Sequence, residues 1–203
     1  MAEGIKIEVF KLKNADELTK SLADPESRMD TGSGAAMTAA LASALLERAA
    51  AETIRELPDN ERANYILRNA EILRGYMVHL IDEDVKSRSP LRRALKEGDE
   101  RNIEAARQPA VAIPGEVINM MGQALELGKE LCALCPAASL HYLGEFAELA
   151  MAAIRSARLF IVDMSDKCSD ETYRFVVRRE NEITLKACTD SAQAIISKAE
   201  SAI

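Results

Sequence analysis

Four groups of residues in this chain have side chains and a spacing that could support chemistry. The first is the Gly32-Ser33-Gly34 segment at the start of an alanine-rich stretch. Unpaired backbone amides at a helix N-terminus bind carboxylates, phosphates or a developing negative charge, and glycine lets a ligand approach them closely. An ordinary glycine turn with Ser33 as its cap explains the same residues. The Gly-Lys-Ser/Thr sequence of a nucleotide-binding P-loop is missing.

The second group is the acidic run of Asp82, Glu83 and Asp84 near the end of a predicted helix. Carboxylates at positions i and i+2 point to different faces of a helix, and acids at a helix C-terminus meet the unfavourable end of its dipole. This local conflict favours a functional role for Asp82 and Asp84. A solvated charged segment is the alternative interpretation.

The other two groups lie on one predicted helix. His141, Tyr142 and Glu145 begin this helix, and His141 could act as an acid or a base near neutral pH. Arg155 and Arg158 follow at positions i and i+3 on one face, where they could contact an anionic ligand. A capping histidine, and arginines paired with glutamates of neighbouring helices, account equally well for these residues.

The composition of the chain predicts an all-α fold. Of its 203 residues 48% are hydrophobic, but only four are Phe, four are Tyr and none is Trp, so small and flexible apolar residues must fill the core. Nine Gly and six Pro are too few for an all-β chain with many tight turns. We expect a single-domain bundle of about five long helices, formed by residues 1–203.

Hydrophobic periodicity places the elements that would position the four groups. An N-terminal arm (1–13) with alternating apolar residues precedes a small helix near residues 15–22, for which Asn14 is the expected N-cap. A polar segment (91–99) is expected after Pro90, which should end or kink the preceding helix. The other helices are predicted at residues 35–57, 60–87, 100–107, 115–134, 141–165 and 169–203.

Net charge and the distribution of apolar residues narrow the functional classes. A charge of −7 argues against sequence-independent binding of nucleic acid or anionic lipid. The longest uncharged stretch, Thr31 to Leu46, is shorter than the ~18–20 residues that span a bilayer, and the N-terminus lacks a signal-peptide core. We therefore expect a cytoplasmic protein with no membrane or nucleic-acid partner. Long helices whose apolar stripes one subunit leaves uncovered predict a homodimer.

The four cysteines predict neither a disulfide framework nor a metal site. Cys132 and Cys135 form one C-x-x-C pair, whereas Cys168 and Cys188 stand apart. Zinc usually requires a second close pair or histidines at ligand spacing, and the chain's two histidines stand elsewhere. Reduced thiols in the core are the expectation, with no metal and no covalently bound cofactor.

Together, the four groups resemble the cyclodeaminase family. This family comprises the C-terminal domain of formiminotransferase-cyclodeaminase and its free-standing bacterial relatives, some of which are methenyltetrahydrofolate cyclohydrolases. The resemblance covers about residues 17–201. Its landmarks, in the family's order, are Leu22-Ala23, the helix start Gly32-Ser33-Gly34-Ala35, Asp82-Glu83-Asp84-Val85, Lys96 at the family's spacing, IPGEVINMMGQALEL, and Gly144 before AELAMAAIRSARLFIVDMS.

The chain departs from the family pattern at three places. Its glycine-rich segment lacks the family's prolines. The pair His141-Tyr142 stands where the family has Ser-Asp, so a carboxylate thought to belong to the active site is missing. Phe160 stands where the family has an asparagine.

The resemblance implies one-carbon folate chemistry on a tetrahydrofolate derivative, which is the substrate. The reaction is either hydrolysis of 5,10-methenyltetrahydrofolate or ring closure of 5-formiminotetrahydrofolate with release of ammonia. Lys96 is then expected to be the proton shuttle, with Asp84 as its partner, Asp82 as a ligand-orienting group and His141 in place of the missing acid.

The resemblance also implies a set of ligand-binding residues. Gly32, Ser33 and Gly34 are expected to receive the ligand through backbone amides, Tyr142 to line the site, and Arg158 to meet the glutamate tail of a folate. Two alternatives stay open because of the altered glycine segment and the loss of the carboxylate at Tyr142. The protein could bind folate without turnover, or it could act on a different small molecule.

Overall fold

The computed structural model describes residues 9–202, and α-helices make up most of this part of the chain. Five of the helices have 20 or more residues, and no strand occurs between residues 9 and 202, which confirms the all-α prediction. The helices are α1 (Ala15–Ala23), α2 (Thr31–Glu56), α3 (Glu61–Ser87), α4 (Ser89–Glu97), α5 (Glu100–Ala110), α6 (Ala112–Leu131), α7 (Leu140–Asp166) and α8 (Glu171–Glu200).

Two short 3-10 turns, Phe10–Leu12 and Ala137–Ser139, complete the described secondary structure. Most of the predicted N-terminal arm (1–8) lies outside the described residues. Val9 has an extended backbone. None of the helices in the described part is both long and apolar enough to cross a membrane.

Polar side chains at the N-caps start five of the helices in the described part of the chain, and Asp99 is the cap of α5. Asn14 accepts a hydrogen bond from the Glu17 amide, and Glu17 returns one to Asn14, so the predicted cap of α1 is a full capping box. Asp30, Asn60 and Asp170 cap α2, α3 and α8 through their own side chains. Each such cap typically stabilises a helix by about 1 kcal/mol.

Two segments differ from their sequence-based interpretation. The Gly32-Ser33-Gly34 segment is the first turn of α2 rather than a loop before it, because the Asp30 cap starts the helix earlier. The predicted polar segment 91–99 is mostly helix α4. Pro90 stands in the first turn of α4, where its missing N–H costs nothing, so it starts a helix instead of ending one. Gly98, with φ of 70°, ends α4 in the left-handed region that glycine allows.

The five long helices run up and down in the order α2, α3, α6, α7, α8, and each is antiparallel to the one before. Along the α2–α3 pair, for example, Ser33 lies beside Asp84 at one end, and Glu47 pairs with Arg74 further along. Contacts between α3 and α6, and between α7 and α8, follow the same reversed order.

The core of the bundle is built on small side chains. Helices α2 and α7 pack along alanines that are fully buried, which lets the two backbones approach closely. A second, smaller apolar cluster joins α4 and α5 to the end of α7 through Leu91, Ala94, Ile103 and Met164. The α4–α5 hairpin therefore sits at the end of the bundle that contains the start of α2 and the end of α3.

Candidate active site

Close contact between the start of α2 and the end of α3 brings Ser33 and Gly32 against Asp84. The Ser33 Oγ lies 3.0 Å from Asp84 Oδ2 and also 3.0 Å from the Ile81 carbonyl oxygen. A methyl group on Gly32 would stand 2.0 Å from Asp84 Oδ1, which no side chain can tolerate. Gly32 is therefore required here for contact, and Asp84 is held in a space that has no room for a larger neighbour.

A single proton on the Ser33 hydroxyl must satisfy two neighbours. The Ile81 carbonyl oxygen can only accept a hydrogen bond. If Ser33 donates to Ile81, the contact with Asp84 is a hydrogen bond only when Asp84 carries a proton. If Asp84 is ionised, Ser33 donates to the carboxylate. The pair Ser33–Asp84 can thus switch with the protonation state of Asp84 without moving a heavy atom.

Arg88 is the cation beside Asp84. Its Nη1 lies 3.8 Å from Asp84 Oδ2, an ion pair too long for a hydrogen bond, and its Nη2 donates to Asp30 Oδ2 at 2.5 Å. The guanidinium also lies over the Phe160 ring, 4.3 Å from the ring centroid. Asp30, the cap of α2, thus joins the start of α2 to the end of α3 through Arg88.

Burial separates the acidities of the two aspartates. Asp84 has no exposed surface, and burial raises its pKa above the usual value, against the partial opposition of Arg88 and Ser33. Burial alone would also raise the pKa of Asp30. There, hydrogen bonds from the Thr31 amide and from Arg88 outweigh burial, and the pKa lies below its usual value. Asp84 therefore keeps its proton to a higher pH than Asp30.

Asp84 also has a weakly satisfied acceptor. Its Oδ1 is buried and has no hydrogen bond of regular geometry from residues 9–202, although the Ser33 amide lies close enough to the carboxyl group to lower its pKa. Buried carboxylate oxygens are rarely left without a partner. Because Oδ1 lies against Gly32 and has no exposed surface, this weakly satisfied acceptor lies inside the α2–α3 contact. The backbone amides expected to bind a ligand are partly occupied, because Thr31 N donates to the Asp30 side chain and Gly34 N to the Asp30 carbonyl.

Asp82 serves a different contact from Asp84. It points to another face of α3 and accepts a hydrogen bond of 2.7 Å from the Phe10 amide. Phe10 is fully buried in the main core. Asp82 therefore fastens the N-terminal segment to α3, and nothing in the described residues places it beside Asp84 Oδ1.

Lys96 does not stand beside Asp84, in contrast to the pairing expected from the sequence. It is exposed, near the end of α4, and no hydrogen bond or ion pair joins it to Asp84. Arg88 caps the start of α4, so Lys96 lies two turns further along, about 12 Å at 1.5 Å per residue. The position next to Asp84 that the sequence assigned to a lysine is occupied by Arg88.

His141 and Tyr142 lie at the opposite end of the bundle. The rings of the two residues are tilted by 44° with their centroids 3.9 Å apart, and the Arg48 guanidinium lies 5.6 Å from the centroid of the Tyr142 ring. Arg48 is separated from Ser33 by about 22 Å along α2 at 1.5 Å per residue. Since α2 and α7 are antiparallel, the two helix starts that resemble family motifs are at opposite ends of one protomer, and His141 does not replace an acid beside Asp84.

Arg158 and Gly34 lie at the same end of the bundle as Asp84, without a direct contact to it among the described residues. Arg158 is half-buried on α7 and its Nε is buried without a hydrogen-bond partner among the described residues. Its α7 neighbour Phe160 is the residue that contacts Arg88, so Arg158 belongs to the same end of the bundle as Asp84. A methyl group on Gly34 would meet only Leu22, at ordinary contact distance. Close contact with Asp84 is thus specific to Gly32.

Sequence reasoning did not assign Arg88 and Asp30 to the site. A signal for each was present: Arg88 follows Asp84 by one helical turn, and Asp30 directly precedes the glycine segment, as a capping residue would. The role of Phe160 as the surface under Arg88 had no signal in the sequence, because it depends on the antiparallel packing of α2 and α7.

The cysteines lie apart from this cluster and are free thiols. Burial, with a smaller contribution from Cys135, raises the pKa of Cys132 to about 11, and burial raises the pKa of the other three thiols as well. Thiols with raised pKa values are poor nucleophiles and poor metal ligands at neutral pH. Within residues 9–202, no group of three His, Cys, Asp or Glu side chains could hold a metal ion.

The arrangement around Asp84 is suited to proton transfer. It combines a buried carboxyl group of raised pKa, a hydroxyl that can donate or accept, and a cation that limits how far the pKa rises. These groups are fixed by the α2–α3 contact, which is part of the core, so their geometry is set before any ligand binds.

Comparison with known proteins identifies the family. The family model for formiminotransferase-cyclodeaminase matches residues 14–182, which include Ser33, Asp84 and Arg88. The crystal structure of formiminotetrahydrofolate cyclodeaminase from Thermotoga maritima has a similar fold, with a TM-score of 0.85 and 20% identity over 94% of this chain and 98% of that one. None of the curated proteins matches the chain. Because the family model covers most of the sequence, the chain belongs to the formiminotransferase-cyclodeaminase family.

Proposed function

We propose that this protein is an enzyme of one-carbon folate metabolism. Its substrate is 5-formiminotetrahydrofolate, from which it releases ammonia, or 5,10-methenyltetrahydrofolate, which it hydrolyses. The family and the name of the structural neighbour support a folate-related cyclodeaminase activity. The observation that carries the proposal on this chain is the buried Asp84, with its raised pKa, its contact with Ser33 and its ion pair with Arg88.

Ring closure of a formimino substrate requires a proton donor. N10 forms a bond to the formimino carbon, and the bond from that carbon to the terminal nitrogen breaks. The proton from N10 and one further proton leave with that nitrogen as ammonia, and the methenyl product carries the positive charge. A protonated Asp84 supplies the further proton, and Ser33 keeps its hydrogen bond to Asp84 in either protonation state.

Hydrolysis of the methenyl substrate requires a proton acceptor. Water adds to the methenyl carbon, one carbon–nitrogen bond of the ring breaks, and one proton is released as the cation becomes a neutral formyl compound. An ionised Asp84 accepts that proton, and the Arg88 cation stabilises the ionised form. The two reactions therefore use opposite protonation states of the same side chain.

The other residues named from the sequence take outer positions in this proposal. Gly32 leaves the space in which Asp84 lies, and Arg158 contributes positive charge at the same end of the bundle. Lys96 exchanges protons only with a part of the ligand that extends along α4. Tyr142 and His141 take no part within the same protomer.

A second candidate function is folate binding without turnover. Phe160 and Tyr142, which stand at polar positions of the family pattern, make aromatic contacts in this chain: Phe160 with Arg88, and Tyr142 with His141 and Arg48. The aromatic ring of Phe160 beside Arg88 favours binding of a flat ligand ring, but the phenylalanine side chain cannot supply a proton.

Turnover and binding assays separate the two candidates. Purified protein is incubated with each folate, and ammonia release or loss of methenyl absorbance is compared with the spontaneous rate. Binding of the stable analogue 5-formyltetrahydrofolate is measured by calorimetry. Turnover of either substrate above the spontaneous rate supports the enzyme. Binding without turnover supports the second candidate, and absence of both binding and turnover contradicts both.

A further inference from the structure

Arg88 and Arg92 lie near the Asp30–Asp84 pair and have unused hydrogen-bond donors. Arg88 is 7% exposed, and its Nε and Nη1 have no hydrogen-bond partner in the described part of the chain. Arg92 lies one turn further along α4; its Nη2 donates to the Arg28 carbonyl, whereas its Nη1 is buried and unpartnered. Buried guanidinium N–H groups without acceptors cost free energy, so a native structure usually supplies an acceptor for them.

The balance of charge around these arginines favours an anion. Burial lowers the pKa of Arg92, and repulsion from Arg88 and Arg28 adds to this effect against the attraction of Asp30 and Asp84. The Asp30 carboxylate accepts a hydrogen bond from Arg88, and its pKa lies below the usual value. A bound anion beside Arg88 and Arg92 would offset the repulsion between the guanidinium groups.

Other contacts of Arg88 and Arg92 hold the two guanidinium groups in place, so their unpartnered N–H groups have fixed directions. Arg88 is fixed by the Asp30 hydrogen bond and by the Phe160 ring, and Arg92 is fixed by the Arg28 carbonyl. Their free N–H groups are therefore pre-oriented. Guanidinium donors in fixed positions bind carboxylate groups with geometric specificity.

We propose that Arg88 and Arg92 form an anion subsite that binds a carboxylate group of the substrate. Asp84 is at the inner end of this row, Arg92 lies one turn of α4 beyond Arg88, and the exposed Lys96 lies one turn beyond Arg92, with about 6 Å per step. The row fits a ligand whose reacting end lies at Asp84 and whose acidic end extends along α4. This inference rests on the proposed function, for which the acidic end is the glutamate part of the folate.

The subsite is tested by comparing ligands with and without the acidic end. Calorimetry measures binding of 5-formyltetrahydrofolate, which carries the glutamate, and of a tetrahydropterin that lacks it. We expect Arg92→Gln to weaken binding of the folate by about 10- to 100-fold and to leave the pterin unchanged. Arg93→Gln, on an exposed neighbour in the same helix, is the matched control and should change neither.

Further measurements keep each outcome interpretable. Arg92→Lys keeps the charge and should recover part of the lost affinity, and thermal unfolding of all variants verifies that they are folded. An equal loss of folate and pterin binding in Arg92→Gln, or no loss, overturns the subsite while leaving the proposed function intact. Inorganic phosphate is the third probe. Phosphate binding that depends on Arg92, without any folate binding, supports an anion subsite and contradicts the folate function; phosphate binding that depends on Arg92 with unchanged folate affinity overturns the carboxylate assignment.

Discussion

At the scale of single residues, burial of Asp84 connects the chemistry of this side chain to its effect on stability. A folded-state pKa above the ordinary value means that the protonated form is favoured in the folded protein. The contribution of Asp84 to stability is thus fully present below the ordinary pKa of an aspartate. It is lost as the pH rises through the raised pKa of the folded state.

Replacing Asp84 by Asn should therefore stabilise the protein at neutral pH relative to the wild type and have little effect near pH 4. The amide keeps the size of the side chain and an acceptor for Ser33 but never ionises. Urea unfolding from pH 4 to pH 8 measures the difference, and Asp163→Asn at an exposed site is the control. If the difference in free energy of unfolding between the Asp84 variant and the wild type does not grow with pH, burial does not determine the pKa of Asp84.

The contact between Gly32 and Asp84 gives a prediction with a built-in control. Gly32→Ala forces a methyl group to 2.0 Å from a carboxylate oxygen, so α2 and α3 must separate, and we expect a loss of about 1–3 kcal/mol in the free energy of unfolding. Gly34→Ala meets only Leu22 at contact distance and should stabilise α2 by up to about 1 kcal/mol. Chemical unfolding measures both, and similar effects for the two variants would contradict the close α2–α3 contact.

Some of the cluster could be predicted from residue types and some could not. Asp84 is predictable because an acid at a helix end conflicts with local preference, and Ser33 because it stands between glycines at the start of a helix. The sequence did not assign Arg88 and Asp30 to the site because each has an ordinary local role: Arg88 ends α3, and Asp30 is the N-cap of α2. The partner of Asp84 depends on which cation the turn between α3 and α4 presents, and spacing along the chain does not contain that information.

At the scale of elements, the direction of each helix decides which motifs meet. Helices α2 and α7 are rich in alanine and pack closely, and the glycine segment and His141 stand at their starts. They pack antiparallel, however, so their starts are at opposite ends. Composition predicts that two helices can approach closely, but the topology of the intervening helices sets their relative direction.

The α4 helix illustrates a local signal with two meanings. Proline ends a helix when it falls inside and starts one when it falls in the first turn. Pro90 does the second, because α3 has already ended at Ser87. The turn between α3 and α4 places Arg88 and Arg92 near Asp30 and Asp84, and it leaves Lys96 exposed.

The N-terminal segment is an element held by one buried hydrogen bond and one aromatic ring. Asp82→Ala removes the acceptor for the Phe10 amide, and we expect a loss of about 1.5–3 kcal/mol in the free energy of unfolding. Phe10→Ala should cost about 3–5 kcal/mol, whereas Leu12→Ala, at an exposed site, should change little.

Combining the Asp82 and Phe10 substitutions distinguishes this structural role from the ligand-orienting role expected from the sequence. The double variant should lose less free energy of unfolding than the two single variants lose together. Once the Phe10 substitution detaches the segment, the hydrogen bond to Asp82 has no further effect. Substrate affinity should be retained in Asp82→Ala. Additive losses of stability, or a loss of substrate binding without a loss of stability, would support the ligand-orienting role of Asp82.

At the scale of the whole molecule, several large apolar side chains lie on the surface of one chain. Ile72 is 70% exposed, Leu159 66%, Phe175 71% and Ile183 57%. Large exposed apolar residues gathered on helices are typical of surfaces that another subunit covers. The homodimer expected from the sequence stays a prediction, with the first half of α8 as one part of its interface.

Sedimentation at micromolar concentration tests this prediction. We expect a species of about twice the 22.2 kDa chain mass, and we expect Phe175→Glu to convert it to a monomer without unfolding. Lys129→Glu, on the half-exposed surface of α6, is the control. A wild-type chain that sediments as a monomer, or a dimer that Phe175→Glu leaves intact, would contradict the assignment of this surface.

The all-α architecture was predictable from composition and periodicity, and the family match agrees with it. What the whole molecule adds is a division of the bundle into two ends. One end contains Asp84, Ser33, Arg88 and Arg92, and the other contains His141, Tyr142 and the Cys132–Cys135 pair. The order in which helices pack produced that division, and no local pattern in the sequence contains it.

Folate turnover as a function of pH, in the wild type and in Asp84→Asn, tests the central claim most directly. We expect Asp84→Asn to lower kcat by about 10²- to 10⁴-fold, with Asp163→Asn unchanged. If ammonia release is the reaction, wild-type activity should fall as the pH rises through the raised pKa of Asp84, because the acid form donates. If hydrolysis is the reaction, activity should rise over the same range. Turnover of either folate by Asp84→Asn at the wild-type rate, with an unchanged pH profile, would contradict the assignment of Asp84 as the proton-transferring group.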